Sequence, residues 1–590
     1  MAASLRWWDW CDEAFAEARA RGVPVLLFVR AAWCRFSKEL DRQVFADPRV
    51  QALVKDRFVA IQVDKDRRPD LDARYSKGGW PTLAWLDDTG ELLAADTYLE
   101  ADELVARLQL VADYYVKNRE LIKLRIAELE ERQKQEDGAR GPRVGPRTPQ
   151  LSLEIVEQVA RTVLENADPQ WGGWGREHKF PNTEALDFAL VRWSQTGDQA
   201  MLQLVRRTLR CMQEGEIHDR VEGGFYRYAT QPDWSVPNHE KMLDSNAQRL
   251  HVYLEAHQVF GDESYRQTAE GILRWMYGTL LDLEHKAFKG SQDAHPAYAR
   301  LLTLEQRKAM GAPPCDPTLF ANWNAIAASS LLKASMVLRE PKHKEQALAT
   351  LDFIVEELFD EHRGVYHYWD GMYHLPGLLS DQAYVLRALV DALQYAGESR
   401  YLRPAKRLAD WTIENLQSPT GGFYDTPYDP SAYGGLRRRN RSILENSVMA
   451  EALLRLAALV REDDYADTAR ATLESFAQDY KRYGHFVAGY ARAVDLLFHE
   501  PVHVTIVGPR GSELVRQLVE AALRPYVASR IVQVLDPVHD KELFERSGLP
   551  GPRNLFEPAR AYVQRGRGSL AETADPNRLP ALMTRVERGS

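Results

Sequence analysis

The chain has 590 residues, of which 45% are hydrophobic and 27% charged, with a formal net charge of -9. That length exceeds what one compact core organises and requires two or more domains. The acidic balance excludes a general binder of nucleic acid or anionic membrane, because no basic excess is present to neutralise phosphates.

Residues 23–29, 58–63 and 82–86 are apolar runs that predict strands, the last ending in the hairpin-like turn Asp87-Asp88-Thr89-Gly90. Helical patterns occupy 13–19, 37–45 and 101–116, so residues 1–116 read as an α/β domain. Residues 117–135 predict a charged, exposed helix. Residues 137–149, with their Gly-Pro-Arg pieces, predict a linker, and together 117–150 form the clearest boundary.

Beyond it the chain repeats. Helical segments carry a bulky residue and a small or apolar one four positions later, at Tyr265/Ala269, Tyr401/Ala405 and Tyr465/Ala469, with weaker copies at His343/Ala347 and Met201/Val205. Each is followed by a Gly-plus-aromatic or similar segment, such as Gly223-Gly224-Phe225, Lys286-Ala287-Phe288, Gly364-Val365-Tyr366, Gly421-Gly422-Phe423 and Gly484-His485-Phe486, and then by a long amphipathic helix. Residues 153–166 with Gly172-Gly173-Trp174 supply a sixth unit. Twelve helices in six hairpins predict a closed ring over 151–500, with Gly223, Gly364 and Gly421 at one rim. Residues 501–590, with strand-like 502–508 and 530–535, predict a small α/β region. The basic run Arg437-Arg438-Arg439-Asn440-Arg441 reads as a solvated loop.

No stretch reaches the roughly 18–20 apolar residues that span a bilayer. The first residues lack a basic start followed by an apolar run, and a cytoplasmic location is expected. Cys11, Cys34, Cys211 and Cys315 are scattered without disulfide or zinc spacing, so neither metal nor cofactor is expected.

Several motifs carry a family resemblance: Val63-Asp64-Lys65-Asp66-Arg67-Arg68-Pro69-Asp70, Gly78-Gly79-Trp80-Pro81, Lys179-Phe180-Pro181, Gly223-Gly224-Phe225-Tyr226-Arg227-Tyr228, Glu240-Lys241-Met242-Leu243, Ser291-Gln292-Asp293-Ala294 and Asn322-Trp323-Asn324. In these the chain resembles the family of bacterial YyaL and spermatogenesis-associated protein 20. The resemblance implies a thioredoxin-like domain followed by an (α/α)6 toroid of the six-hairpin glycosidase type. It also exposes departures. Where the family usually has Cys-His-Trp-Cys-His, this chain has Cys34-Arg35-Phe36-Ser37, and its Glu445-Asn446-Ser447 and Asp219-Arg220 replace Gly-Asn-Ser and Asp-Gln.

The chemistry expected of each part follows. A thioredoxin-type cysteine sits at a helix N-terminus, where the dipole stabilises thiolate, and Cys34 fits that placement. A dithiol oxidoreductase needs a second cysteine to release the mixed disulfide, and Ser37 cannot serve. What remains is either monothiol chemistry at Cys34 with glutathione or a partner protein, or a domain that keeps the fold and has lost redox turnover. In the ring, the inner-helix N-termini and the loops before them surround one cavity mouth. Candidate catalytic groups there are Glu240, Asp381 and Asp219. Candidate substrate-binding groups are Lys179, Arg227, Tyr228, His239, Lys241, Asp293, Trp323, Asn324 and Asn446, although Asp and Asn also commonly cap helices. Glycoside hydrolysis needs two carboxyl groups, for which Glu240 with Asp381 or Asp219 with Glu240 are the pairs. Sugar epimerisation needs acid and base groups about one carbon, for which His218, His239, His367, His374 and His485 are available. The expected ligand is a mono- or oligosaccharide. The competing expectations are a thiol-redox protein centred on Cys34 and a non-catalytic interaction scaffold.

Overall fold

The computed structural model describes residues 5–139, 150–550, 558–566, 568 and 570–587. The linker expected across 137–149 lies outside the described residues from 140 onward. Two compact units form, Met1–Pro146 with Asp425–Asn440, and Arg147–Tyr424 with Arg441–Ser590.

The first unit is thioredoxin-like. Its mixed sheet runs β2 (Val59–Asp64), β1 (Val25–Arg30), β3 (Thr82–Leu86) and β4 (Leu92–Asp96), with β1 and β2 parallel and the other neighbours antiparallel. The strands β1 and β3 are buried almost throughout, which is why both read as continuous apolar runs. Helices α1 (Asp12–Arg21), α2 (Arg35–Glu39), α3 (Pro48–Arg57), α4 (Pro69–Tyr75) and α5 (Ala101–Ala139) complete it. Three elements had no sequence signal strong enough to predict them. Helices α3 and α4 are short and mostly polar, and β4 is half-buried along its length. The two helical patterns at 101–116 and 117–135 are one continuous helix.

Part of the basic run also belongs to this unit, which corrects the solvated-loop expectation. The Arg438 guanidinium donates to both Glu91 carboxylate oxygens at 3.0 and 2.9 Å, and its carbonyl accepts from Arg74 at 2.8 Å. Tyr75 donates its hydroxyl to the Gly90 carbonyl and accepts from the Gly435 amide, both at 2.7 Å.

The second unit contains the ring. Outer helices α6 (Leu153–Glu165), α8 (Gln199–Glu214), α10 (Glu263–Trp275), α14 (Pro341–Phe353), α16 (Leu402–Leu416) and α18 (Asp463–Glu474) each lead into an inner helix. The inner helices are α7 (Thr183–Thr196), α9 (Leu243–Phe260), α13 (Ala321–Leu338), α15 (Leu379–Tyr395), α17 (Ile443–Val460) and α19 (Ala488–Phe498), with short α11 (Pro296–Ala299) and α12 (Leu304–Met310) in the third loop. Each inner helix packs on the next, and α19 packs on α7, so the ring closes as an (α/α)6 toroid. Side chains at matching positions pair across neighbours. Lys333 meets Glu255, each the thirteenth residue of its helix; Arg455 meets Asp391 likewise; and Arg492 meets Asp187, each the fifth. The inner helices therefore run parallel, with all their N-termini at one rim.

That rim is built by a repeated clamp. The fourth residue of α9, α13, α15 and α17 is an amide, Asn246, Asn324, Gln382 and Asn446. Each accepts the N–H of one loop residue (Phe225, Phe288, Val365 and Phe423) at 2.6–2.9 Å. Each also donates to that residue's carbonyl and to the carbonyl four positions back on its own segment. One side chain thus satisfies backbone groups that burial would otherwise leave unpaired. The preceding glycines supply the approach. A Cβ at Gly223 would sit 2.0 Å from the Gly271 carbonyl oxygen, and one at Gly364 2.8 Å from the Gln382 amide oxygen.

The final stretch carries a sheet in the order Arg530–Leu535, Val502–Val507, Arg560–Arg565, Ala571–Thr573, with helices α20 (Glu513–Leu523), α21 (Lys541–Ser547) and α22 (Leu579–Glu587). It covers the opposite rim. Gln258 on α9 donates to the Arg524 carbonyl at 2.8 Å, Gln394 on α15 accepts from the Val532 amide at 3.2 Å, and Gln533 donates to the Leu459 carbonyl at 2.7 Å.

Replacing Asn446 by leucine leaves the Phe423 N–H and C=O buried and unpaired. At about 1–3 kcal/mol for each such group, Asn446→Leu lowers unfolding free energy by roughly 2–5 kcal/mol in urea denaturation. A loss within the scatter of surface substitutions would mean the clamp is dispensable.

Candidate active site

Six parallel helices around one axis leave a hole that their backbones cannot fill. Here it is a cavity of about 180 Å³, far above the ~10–15 Å³ that one water requires. Helix α7 contributes Glu184 and Asp187; α9 Gln248, His251 and Glu255; α13 Ser329, Ser330 and Lys333; α15 Arg387, Asp391 and Gln394; α17 Glu451 and Arg455; and α19 Arg492. The floor comes from the last part of the chain, through Leu523 and residues 526–531. The His251 side chain is 36% accessible although helices enclose it, so its accessible face is the cavity wall.

Charge inside this space is nearly compensated pair by pair. Lys333 lies 2.5 Å from Glu255. Arg455 bonds Asp391, and Arg492 lies 3.1 Å from Asp187. His251 Nε2 stands 3.3 Å from the Glu255 oxygen that Lys333 also holds. Asp187 brings a carboxyl oxygen within 4.8 Å of one of Glu255.

Two carboxyl groups this close do not both ionise at neutral pH. Burial pushes Asp187 up to about 8, the charges of Glu255 and Glu451 act in the same direction, and Arg492 opposes them. Burial would also raise Glu255, but Lys333 and His251 overcome it and hold that carboxyl well below the usual range. Burial thus favours the neutral form at Asp187, and the neighbouring cations favour the carboxylate at Glu255. Burial, reinforced by Lys333, lowers His251, which is neutral at pH 7. Glu184 is raised by burial against the attraction of Arg387. Tyr526 is raised well above the ordinary phenol value by burial and then by Glu255 and Asp187. The cavity places side by side a carboxyl group whose neutral form is favoured, a carboxylate and an imidazole shifted toward neutrality. That set can donate and accept protons without a cofactor. Asp187, His251 and Glu255 bring one ligand atom each within 4.8 Å of one another, a divalent-cation geometry with Lys333 beside Glu255 and Arg492 beside Asp187.

The groups singled out from the sequence lie elsewhere, at the rim, in separate networks. Asp219 accepts from Lys241 at 2.5 Å and from Arg307 at 2.6 Å. Lys241 also donates to the Gly223 carbonyl. Lys179 repeats this one hairpin earlier, donating to Asp168 at 2.7 Å and the Gly172 carbonyl at 2.8 Å. Glu240 lies 3.3 Å from Arg227, and burial raises its carboxyl against that cation. Asp381 is fully buried, receives the Asn322 amide of the neighbouring helix at 3.2 Å, and lies 2.9 Å from His367. No hydrogen bond or ion pair among the described residues joins Glu240 to Asp219 or Asp381. Asn324 and Asn446 are clamps. Tyr228 stacks on Phe180 at 4.5 Å, His239 meets the Tyr226 ring edge-on at 4.9 Å, Trp323 packs on Phe320, and the Asp293 amide donates to the Pro314 carbonyl.

In the first unit, Cys34 caps α2 and is 9% exposed, with Sγ 3.4 Å from the Trp80 carbonyl, and the Trp80–Pro81 bond is cis. The Ser37 hydroxyl accepts the Ala31 amide at 3.2 Å. Trp33 donates its indole N–H to Asp66 at 2.7 Å.

Residues 1–134 match the family Thioredox_DsbH, described as "Protein of unknown function, DUF255". The chain is similar to human spermatogenesis-associated protein 20, with 24% identity across 98% of this chain and 89% of that protein. Over 84 residues, 14% of this chain and 14% of that one, it is 39% identical to thiol:disulfide interchange protein DsbD 1 of Pseudomonas aeruginosa. Among solved structures it is similar to cellobiose 2-epimerase of Spirochaeta thermophila, with TM-score 0.47, 14% identity, and coverage of 58% of this chain and 98% of that one. No helix among the described residues is long and apolar enough to cross a membrane.

Lys241 and Arg307 hold Asp219 down to about 2 against burial. A depressed carboxylate contributes stability above its unfolded pKa and loses it as pH falls through the folded value. Lys241→Met therefore shifts the acid-unfolding midpoint, followed by circular dichroism, to higher pH. An unchanged midpoint would show that Arg307 alone carries the pair.

Proposed function

We propose that the ring catalyses acid–base proton transfer on a small sugar bound in the axial cavity. The observation that carries this reading is the cluster of Asp187, His251 and Glu255 on the cavity wall, one oxygen or nitrogen of each within 4.8 Å of the others, with burial raising Asp187 while Lys333 and His251 hold Glu255 down. The lining favours a polyhydroxylated ligand, since donors and acceptors alternate around it. Buried Gln394 Nε2, Gln258 Oε1 and Arg492 Nη1 have no protein partner, and sugar hydroxyls satisfy both kinds of group. Asp187 and Glu255, with oxygens within 4.8 Å of each other, stand closer than the carboxyl groups that flank a glycosidic bond, about 5–5.5 or 6.5–9.5 Å apart. Isomerisation or epimerisation suits it better. His251 or Glu255 takes the proton from carbon next to the carbonyl, and Asp187 gives its proton to the carbonyl oxygen, forming an enediol that is reprotonated. Glu240 and Arg227, immediately ahead of α9, are proposed as polar contacts at the mouth.

Reducing sugars incubated with the protein in D2O are expected to gain deuterium beside the carbonyl, read by NMR. Asp187→Asn and His251→Ala remove that exchange while circular dichroism stays native. Because the donor must be protonated, the rate falls as pH rises through about 8. Glycosidic cleavage without deuterium uptake would count against proton transfer.

A second reading concerns the thioredoxin-like unit. Cys34 has the helix-cap position of a reactive thiol, while Ser37 binds backbone where a second cysteine would release a partner. We infer monothiol capture, with glutathione or a partner protein supplying the other sulfur. Disulfide reductase turnover with dithiol reductants is expected to be negligible, and a mixed disulfide at Cys34 is expected to persist in mass spectra. Rapid turnover lost in Cys34→Ser would reverse that assignment.

A further inference from the structure

Each carboxylate and cation of the axial cavity can be assigned a partner until two groups remain. Glu255 has Lys333 and His251, Asp391 has Arg455, and Asp187 has Arg492, with Glu451 3.9 Å from both Arg455 and Arg492. Arg530 is spent on backbone, donating to the Ala522, Leu523 and Pro525 carbonyls at the end of α20. The two left over are Glu184 and Arg387. No carboxylate among the described residues lies within 4.0 Å of the Arg387 guanidinium, which rests 4.8 Å above the ring of Tyr384, one turn earlier on the same helix. The half-buried Arg387 attracts Glu184 without touching it, and a bound anion supplies the direct, charge-assisted pair that no carboxylate of the chain makes.

Position gives this leftover cation a direction. In ring order α7, α9, α13, α15, α17, α19, helix α15 stands opposite α7. Arg387 therefore faces Glu184 and the acid Asp187 across the axis, and all three line the same cavity. A ligand that spans the axis meets a proton donor at one end and an unpaired guanidinium at the other. The unpartnered Gln394 amide nitrogen, about two turns further along α15, adds a donor on the Arg387 side. Neutral sugars offer nothing that compensates a guanidinium, whereas a carboxylate or phosphate matches its planar fork.

We propose that the cavity selects an acidic monosaccharide whose carboxylate or phosphate pairs with Arg387, leaving the carbonyl end against Asp187. This rests on the carbohydrate reading above and adds the charge of the substrate and the residue that reads it. Arg387 is then a binding and orienting residue.

Isothermal titration of the full chain with D-glucuronate, D-glucose 6-phosphate, D-glucose and malonate tests it. At least one acidic sugar is expected to bind roughly tenfold or more tightly than glucose, the scale of one charge-assisted pair. Comparison of glucuronate with the phosphate ester tells which anion is read. Arg387→Gln is expected to erase the preference by weakening the acidic sugar and leaving glucose unchanged, and Arg387→Lys to restore it partly. Thermal unfolding of each variant controls for folding. Equal affinity for glucose and the acidic sugars, or a preference that survives in Arg387→Gln, overturns the anion assignment while leaving the sugar site standing. Malonate binding that depends on Arg387, with no sugar bound, leaves the anion site standing and removes the carbohydrate reading. Failure of all four ligands to bind overturns both.

Discussion

The compensated charge on the ring axis is the constraint from which the rest of this unit follows. Six helices in a circle cannot meet at the centre, so each inner helix presents one face to an axial gap. Filling that face with charge is expensive unless every group is answered. The answer comes from neighbours: Lys333 to Glu255, Arg455 to Asp391 and Arg492 to Asp187. These pairs also fix the relative depth of adjacent helices, because they join matched positions. Asp187 and Glu255 also face each other, and there burial raises the one carboxyl while Lys333 and His251 hold the other down. On the proposed reading, this contrast supplies an acid and a base within reach of one ligand.

The rim serves a different purpose. Asn246, Asn324, Gln382 and Asn446 pin the loops to the heads of four inner helices; Lys241, paired with Asp219, pins the loop before α9 again through the Gly223 carbonyl, and Lys179, paired with Asp168, pins the loop before α7 through that of Gly172. Rigidity at the rim holds the axial side chains in register, which matters because a misplaced donor loses most of its effect. The end of the chain does comparable work at the other rim by seating residues 526–531 beneath the cavity.

Much of the architecture was legible because it repeats. Glycine before an aromatic, followed by an amide in the next helix, recurs at Gly224-Phe225 with Asn246 and at Gly422-Phe423 with Asn446. Burial of Tyr265, Tyr401 and Tyr465 made the outer helices periodic. The same prominence drew attention to polar residues at the loops, where Asn324, Asn446 and Lys179 hold backbone. The cavity groups were harder to see, since each sits alone in an apolar stretch: Glu255 after Tyr253-Leu254, Lys333 after Leu331-Leu332, Arg455 after Leu453-Leu454 and Arg492 between Ala491 and Ala493. That isolation was itself a usable signal. A helix apolar on nearly all sides is buried, and a single charge inside it must face either a partner or a cavity. What no single helix discloses is which charges meet. Asp187 and Glu255 lie on different hairpins, and only the ring brings their carboxyl groups together.

The protonation state of that pair is the most direct test of the axial site. Carboxyl carbon-13 resonances of labelled aspartate and glutamate, assigned with Asp187→Asn and Glu255→Gln, report each titration separately. Asp187 is expected to hold its proton through neutral pH and release it near 8, while Glu255 stays ionised well into the acid range. Titration of Asp187 in the ordinary carboxylate range, independent of Glu255→Gln, would contradict a shared proton and with it the acid–base assignment.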